Sequence, residues 1–432
     1  MRSDAGAPSA APSRSAGATD AAPYQAGVSG AAVASHPYRP ALDGVRALAV
    51  VAVLLVHHYG AADPAGWAAG GFLGVDLFFV LSGFLITSLL VDEFGRTGGI
   101  SLPGFWSRRV RRLLPALAVL FLGVAAYAIL RAPPGAMTRI RDAGIATFFY
   151  VQNWHHIAAG PGSGSPFTPM WSLAIEEQWY LVWPVVLLLL VGAARLGRRT
   201  CLVLVTVLAA LSALDMAWRY DGPASVSTLY HATDTRAQAL LIGAALGLLL
   251  GLGSGARRRG VAIALDVAGV VALIALVVVV GRVTSDSPWL YQGGFFVVAI
   301  LSAVLVASAG EPSSPLLGRV LGWTPLRWLG LISYEVYLFH RLVYRWFPPA
   351  VVDLGVHGLF LLRVGVTLLA AALVYVFVSR PVRRSRVPVG LLVALTFAAL
   401  LILVAVTESR QPTAEARPTG PTGPSTGALI EP

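Results

Sequence analysis

The sequence has no lysine, one cysteine and little charge of either sign. Each shortage removes a class of protein. With lysine missing, all 32 basic residues are arginine. Cys201 stands alone, so no intramolecular disulfide can form. Charged residues make up 12% of the chain, about half the roughly 25% of a soluble domain, which excludes an ordinary water-soluble fold. Walker loops, dinucleotide-binding glycine fingerprints and Cys/His clusters are also missing. Nucleotide hydrolysis, hydride transfer and a bound metal are therefore not expected. Acidic residues number 21, which leaves a net charge of +11. Such a surplus can mark a nucleic-acid binder. Here the arginines gather in short stretches between apolar runs, where they set membrane topology, so no nucleic-acid partner is expected.

Apolar residues fill the rest. The 432 residues are 56% hydrophobic, and mean hydropathy is +0.72. Several runs approach the roughly 20 residues needed to span a bilayer as a helix. The sequence predicts an all-α, polytopic transmembrane helix bundle of ten or eleven spans. Candidate spans lie at about 45–59, 71–91, 113–130, 172–193, 201–218, 236–253, 261–281, 291–309, 328–346, 358–379 and 388–406. Residues 1–38 are rich in Ala, Ser, Gly and Pro and lack the apolar core of a signal peptide. They are expected to form a disordered cytoplasmic tail. Residues 39–407 form the membrane domain, and 408–432 a second disordered tail. The stretch 131–170 is mixed in polarity and holds only one short apolar piece, 143–151. It is expected to be an external loop that dips back where protein covers it. Arginines at 108–112, 195–199, 257–259, 319 and 380–386 all fall on one side. The positive-inside rule assigns that side to the cytoplasm, with the N-terminus inside and the C-terminus outside.

Ionisable side chains inside such spans cost roughly 2.5–3.5 kcal/mol each at mid-membrane, so they need a partner or a task. Arg46 and His57 lie eleven residues apart on the first span. Eleven helical steps return to within about 20° of the same face, about 16 Å along the axis. A neutral imidazole there can take a proton from a hydroxyl near neutral pH. A lone histidine is more often a satisfied core residue, but the shared stripe with Arg46 favours a site role. His58 points elsewhere and reads as structural. Asp76 lies in the segment from Gly74 to Gly83, where Ser82 and Gly83 suit helix packing. Glu176 falls four residues after Ser172 on one face and is placed to orient His57 as a triad acid would. Glu177 reads as an interfacial charge between belt residues Trp171 and Trp179. Asp234 and Arg236 open the sixth span and are free to pair with each other or with other charges. Tyr334 and His340 lie along the ninth, His340 with an interfacial reading of equal weight. Arg109 and Arg112 share one helix face, and guanidinium groups suit phosphates.

These segments together resemble the acyltransferase-3 family of bacterial membrane acyltransferases. The matching pieces are Tyr38 through Arg46 with the Arg46-to-His57 spacing, Gly74 to Gly83, and Arg109/Arg112 before Leu113-Leu114-Pro115. Trp171 to Pro184, Asp234-Thr235-Arg236 and Ile332-Ser333-Tyr334 to His340 complete the series. Each is weak alone, and six in order across most of the apolar chain are specific. The resemblance implies transfer of an acyl group, commonly acetyl, from cytoplasmic acyl-CoA (acetyl-CoA) to a hydroxyl of a glycan, cell-wall sugar or metabolite. It makes His57 the base, with Arg46 in its path and Glu176 as the acidic position. It makes Arg109 and Arg112 the CoA-binding pair, and it groups Asp76, Asp234, Arg236, Tyr334 and His340 with substrate binding. It also implies a bacterial inner membrane, no permanently bound cofactor, and a separate extracytoplasmic partner enzyme for any second transfer step. An acyl-enzyme on Cys201 is disfavoured, because Cys201 opens a span away from the other motifs. The rival reading is a secondary transporter or flippase, which buried charges in many spans fit equally well. An inert scaffold would leave His57 and Glu176 without purpose.

Overall fold

The computed structural model describes residues 38–160, 164–251, 255 and 257–411. The expected tails at 1–37 and 412–432 lie outside the described residues. Among those described there is helix and no strand. In chain order the helices are α1 (Pro40–Leu55), α2 (Gly74–Thr97), α3 (Leu102–Leu130), α4 (Met137–Phe148), α5 (Gln152–Ala159), α6 (Met170–Leu188), α7 (Arg198–Arg219), α8 (Pro223–His231) and α9 (Thr233–Leu250). There follow α10 (Arg259–Val280), α11 (Phe295–Gly310), α12 (Leu317–Leu321), α13 (Thr324–Leu331), α14 (Ser333–Trp346), α15 (Gly355–Val374), α16 (Arg380–Arg384) and α17 (Val389–Ser409).

Every apolar stretch expected to cross the membrane is helical. Nine helical stretches among the described residues are long and apolar enough to span. The other two expected crossings fall on α9 and α14. At α9 the first turn carries Asp234 and Arg236. Helix α14 has 14 residues, short of the roughly 20 that span a bilayer. It carries charge along its length, and Glu335, His340 and Arg341 on it are buried. A short polar helix survives there because longer helices surround it.

Two local expectations change. The stretch 131–170 is not an irregular loop, because it contains α4 and α5. Met137, Ile140, Ala143, Gly144 and Thr147 of α4 are buried at helical spacing, so this short helix packs as an amphipathic element against α17 and α3. Arg108 to Arg112 stand on the first turns of α3, which begins at Leu102, rather than in a loop before it. Ser101 caps that start by accepting from the Gly104 amide at 3.3 Å.

Helices α2 and α9 cross in backbone contact. A Cβ on Gly83 would lie 2.0 Å from the Leu240 carbonyl oxygen, and one on Gly243 would lie 2.0 Å from that of Val80. Only hydrogen fits at either position, so the two backbones touch as small-residue packing requires. Helix α1 packs on α2, α13 and α14. It ends in a π-helical turn, Val56–Gly60, that carries His57 and His58. Such widened turns are rare and often mark functional positions.

Candidate active site

Helices α1, α2, α3, α6 and α14 enclose a polar track, which begins among arginines. Asp43 is buried. It accepts from Arg46 Nη1 at 2.5 Å and from the Tyr38 hydroxyl. Arg327 donates to that hydroxyl at 3.0 Å and lies over the Tyr38 ring. Burial, and then the Asp43 carboxylate, push the Tyr38 phenol up to about 12. Arg46 is thus held by its own helix, three residues from its partner. The guanidinium of Arg109 sits 4.8 Å from the centre of the Tyr180 ring and 5.3 Å from that of Phe105.

From there the links run inward. The Tyr180 hydroxyl donates to Ser82 Oγ at 3.0 Å, and Ser82 donates to Glu176 Oε1 at 2.7 Å. The charges acting on Glu176 include Arg112, Arg109 and Arg46. Ser172, one turn before Glu176 on α6, lies 2.6 Å from the Tyr337 hydroxyl. Tyr337 stacks obliquely on His340 at 5.5 Å, and His340 meets His57 edge-on at 4.7 Å. His340 is fully buried and His57 is 8% exposed.

The two histidines share one arrangement. His57 Nδ1 lies 2.9 Å from the Val53 carbonyl, and His340 Nδ1 lies 2.6 Å from the Tyr337 carbonyl. A carbonyl can only accept, so each Nδ1 carries a proton, and in the neutral ring the lone pair then sits on Nε2. The expectation that Glu176 orients His57 is corrected here. The Val53 carbonyl holds the imidazole, and Glu176 is bound to Ser82. The sequence could not separate these, because the i−4 carbonyl is available to any helical side chain.

Asp76 and Arg236 meet each other instead of lining the track. Arg236 Nη2 lies 2.9 Å from both Asp76 oxygens, and both side chains are 1% exposed. The guanidinium lies 4.2 Å from the centre of Phe295 and 4.9 Å from that of Tyr230. This is a neutralised brace between α2 and α9. Asp234 pairs with Arg219 at 2.6 Å, and Arg219 also holds Asp215 at 2.8 Å. Asp234 is half exposed and ties α9 to α7 away from the track. Tyr334 donates to the Leu113 carbonyl at 3.0 Å. With Glu177, Tyr150 and Thr147 it lines a cavity of about 10 Å³ beside the track, room for one water. Glu177 therefore faces protein. Trp171 is buried against Tyr230 and His231, and Trp179 stacks on Trp183 at 4.4 Å. Neither tryptophan is the belt residue expected. Cys201 is buried in an apolar cluster with Trp183 and Leu187.

Sequence reasoning passed over three members of this neighbourhood. Asp43 is legible afterwards as the residue three before Arg46. Tyr337 gave no local signal, because its partner Ser172 is 165 positions away. Arg363 sits in an apolar helix and donates 3.0 Å to His58 Nδ1, while His58 Nε2 donates 2.9 Å to the Val356 carbonyl. That fixes His58 as a neutral, fully used side chain.

Nine long apolar helical stretches among the described residues define a multi-pass membrane protein. The chain belongs to the acyltransferase domain family, whose model matches residues 39–380. That family's description is of an acyltransferase and not of a carrier. The chain is 36% identical over 362 residues to peptidoglycan O-acetyltransferase OatA of Listeria monocytogenes, covering 81% of this chain and 57% of that protein. It is 38% identical over 360 residues to the putative peptidoglycan O-acetyltransferase YrhL of Bacillus subtilis, covering 81% and 55%. It is 34% identical over 362 residues to O-acetyltransferase OatA of Staphylococcus aureus, covering 81% and 58%. The chain thus spans somewhat more than half the length of the relatives it matches. No solved structure matches it.

Proposed function

We propose that this chain is a membrane O-acetyltransferase that takes acetyl from acetyl-CoA and delivers it to a hydroxyl of a cell-wall glycan. The observation that carries this reading is the track joining the Arg109 end of α3 to the Nε2 atoms of His57 and His340. The names of its relatives support acetyl as the group and peptidoglycan as the acceptor.

In this reading the CoA phosphates dock on Arg109 and Arg112, whose planar forks suit phosphate oxygens. Arg109 is already oriented by the Tyr180 and Phe105 rings. The thioester reaches between α3 and α6 toward α1. The acceptor hydroxyl attacks the thioester carbonyl while His57 Nε2 takes its proton. A C–O bond forms, the C–S bond breaks, and the proton passes to the departing thiolate. Holding Nδ1–H on the Val53 carbonyl keeps the lone pair on Nε2, which general-base catalysis requires. Such proton transfer is worth roughly 10²–10⁴-fold in rate. The arginine-rich helix ends assign the Arg109 end to the cytoplasm by the positive-inside rule. The chain enters α1 from that side, and His57 lies nearer the opposite face.

The test is mass spectrometry of cell-wall glycans from a strain lacking the gene, complemented with wild type or His57→Ala. Ester-linked acetyl should vanish on deletion and return only with wild type. Full return with His57→Ala at wild-type abundance would remove His57 as the base. Unchanged esters after deletion, with an unmodified molecule stranded on one side, would favour transport instead.

A further inference from the structure

The π turn that carries His57 continues to Tyr59, where several rings meet at the end of the bundle. The Tyr59 ring centre lies 5.3 Å from Trp67, 5.0 Å from Phe360 and 5.7 Å from His357. Its hydroxyl is 2.9 Å from His357 Nδ1. Behind this layer His58 contacts Phe360 at 5.1 Å and is itself fixed by Arg363 and the Val356 carbonyl. In front, Trp67 is 62% exposed, and His357 is exposed too.

Exposed Trp and Tyr at the end of a membrane helix ordinarily form a belt, ring by ring, against lipid headgroups. This group is built differently. Its rings come from the end of α1, the loop after it and the first turns of α15, and they converge on Tyr59. They offer flat apolar faces together with a polar edge at Tyr59 Oη and His357. A pyranose ring has the complementary form, with a C–H face that leaves water on an aromatic face and a rim of hydroxyls for hydrogen bonds. An acyl chain has no use for that polar edge. Tyr59 and His57 stand on the same π-helical turn, and side chains two residues apart point to different sides of it, so the platform lies at the same end of the bundle as the base.

We propose that Trp67, Tyr59, His357 and Phe360 form a stacking platform for a saccharide ring of the acceptor. This rests on the glycan-acceptor reading above and deepens it. The test is equilibrium binding of a four-unit N-acetylglucosamine oligosaccharide, without donor, to the full chain in detergent micelles, followed by calorimetry. Wild type should bind. Trp67→Ala should weaken binding about tenfold, about 1.4 kcal/mol, while Trp67→Phe, which keeps a ring, restores most of the affinity. Trp218→Ala, at an equally exposed tryptophan on α7 (85%), should bind as wild type does. The platform is overturned if wild type does not bind, if Trp67→Ala binds with wild-type affinity, or if Trp218→Ala is weakened as much as Trp67→Ala. Acetyl transfer to the same oligosaccharide is measured separately. Binding without transfer would overturn the acceptor assigned under the proposed function and leave the saccharide platform standing.

Discussion

Asp76 with Arg236, and His57 with His340, are both polar pairs buried between long helices, yet they are built on opposite plans. Asp76 and Arg236 cancel each other's charge at 2.9 Å, and aromatic faces close around the guanidinium. They link the same two helices, α2 and α9, that Gly83 and Gly243 bring into backbone contact. The two histidines do not bond to each other. Each donates its Nδ1 proton to a carbonyl of its own helix. Tyr337 and Ser172 adjoin them, and Glu176, one turn after Ser172 on α6, leads through Ser82 and Tyr180 toward the arginines. A buried polar group that consumes its partner contributes to the fold. One oriented through a single ring nitrogen by its own helix is placed for chemistry. Burial and charge alone do not tell these apart, and hydrogen-bond partners do.

The largest expected effect breaks the first plan. Asp76→Ala strands a buried guanidinium, which costs about 3–5 kcal/mol, and should lower the thermal midpoint and yield sharply. Replacing both partners together, Asp76→Leu with Arg236→Met, should recover most of the loss. An unchanged midpoint in Asp76→Ala would show that the pair is not a brace. Next, Gly83→Ala forces α2 from α9 and should cost about 1–3 kcal/mol as overpacking does. Its signature is a lower midpoint with the Michaelis constant for acyl-CoA unmoved, and a raised constant would tie this crossing to donor binding.

Changes on the second plan should touch kinetics more than stability. Arg109→Ala and Arg112→Ala should each raise the acyl-CoA Michaelis constant about tenfold, the low end for losing a charge-assisted hydrogen bond. Arg109→Lys should rescue poorly, because an ammonium lacks the planar fork that lies over Tyr180. Equal donor constants in all three variants would move the CoA site elsewhere. The smallest effect is expected for Ser172→Ala. It removes one neutral hydrogen bond to Tyr337, about 1 kcal/mol, and should slow transfer about fivefold. An unchanged rate would take Ser172 off the track.

The fold was legible because hydropathy acts over whole spans. Each apolar run became a helix. What escaped was short or long-range. Helix α4 hides among Gly, Pro and polar residues, and only its buried stripe reveals it. At the site, the Arg46-to-His57 stripe and the Arg109/Arg112 face could be read from helical geometry, since both are local. Tyr337 with Ser172, and Asp76 with Arg236, join residues more than 150 positions apart, and single-chain periodicity carries no trace of such pairs. For the same reason Glu176 was aimed at His57, since sequence names a carboxylate but not the Ser82 hydroxyl that holds it.

The central claim is that His57 is there for chemistry rather than for the fold. The direct measurement compares His57→Ala with Asp76→Ala in purified protein, recording thermal midpoint and acetyl transfer on the same samples. His57→Ala should keep its midpoint within a few degrees and lose at least about a hundredfold in transfer, whereas Asp76→Ala should lose midpoint first and activity with it. If His57→Ala instead falls in midpoint as Asp76→Ala does, or transfers at the wild-type rate, His57 is a structural residue and the account fails.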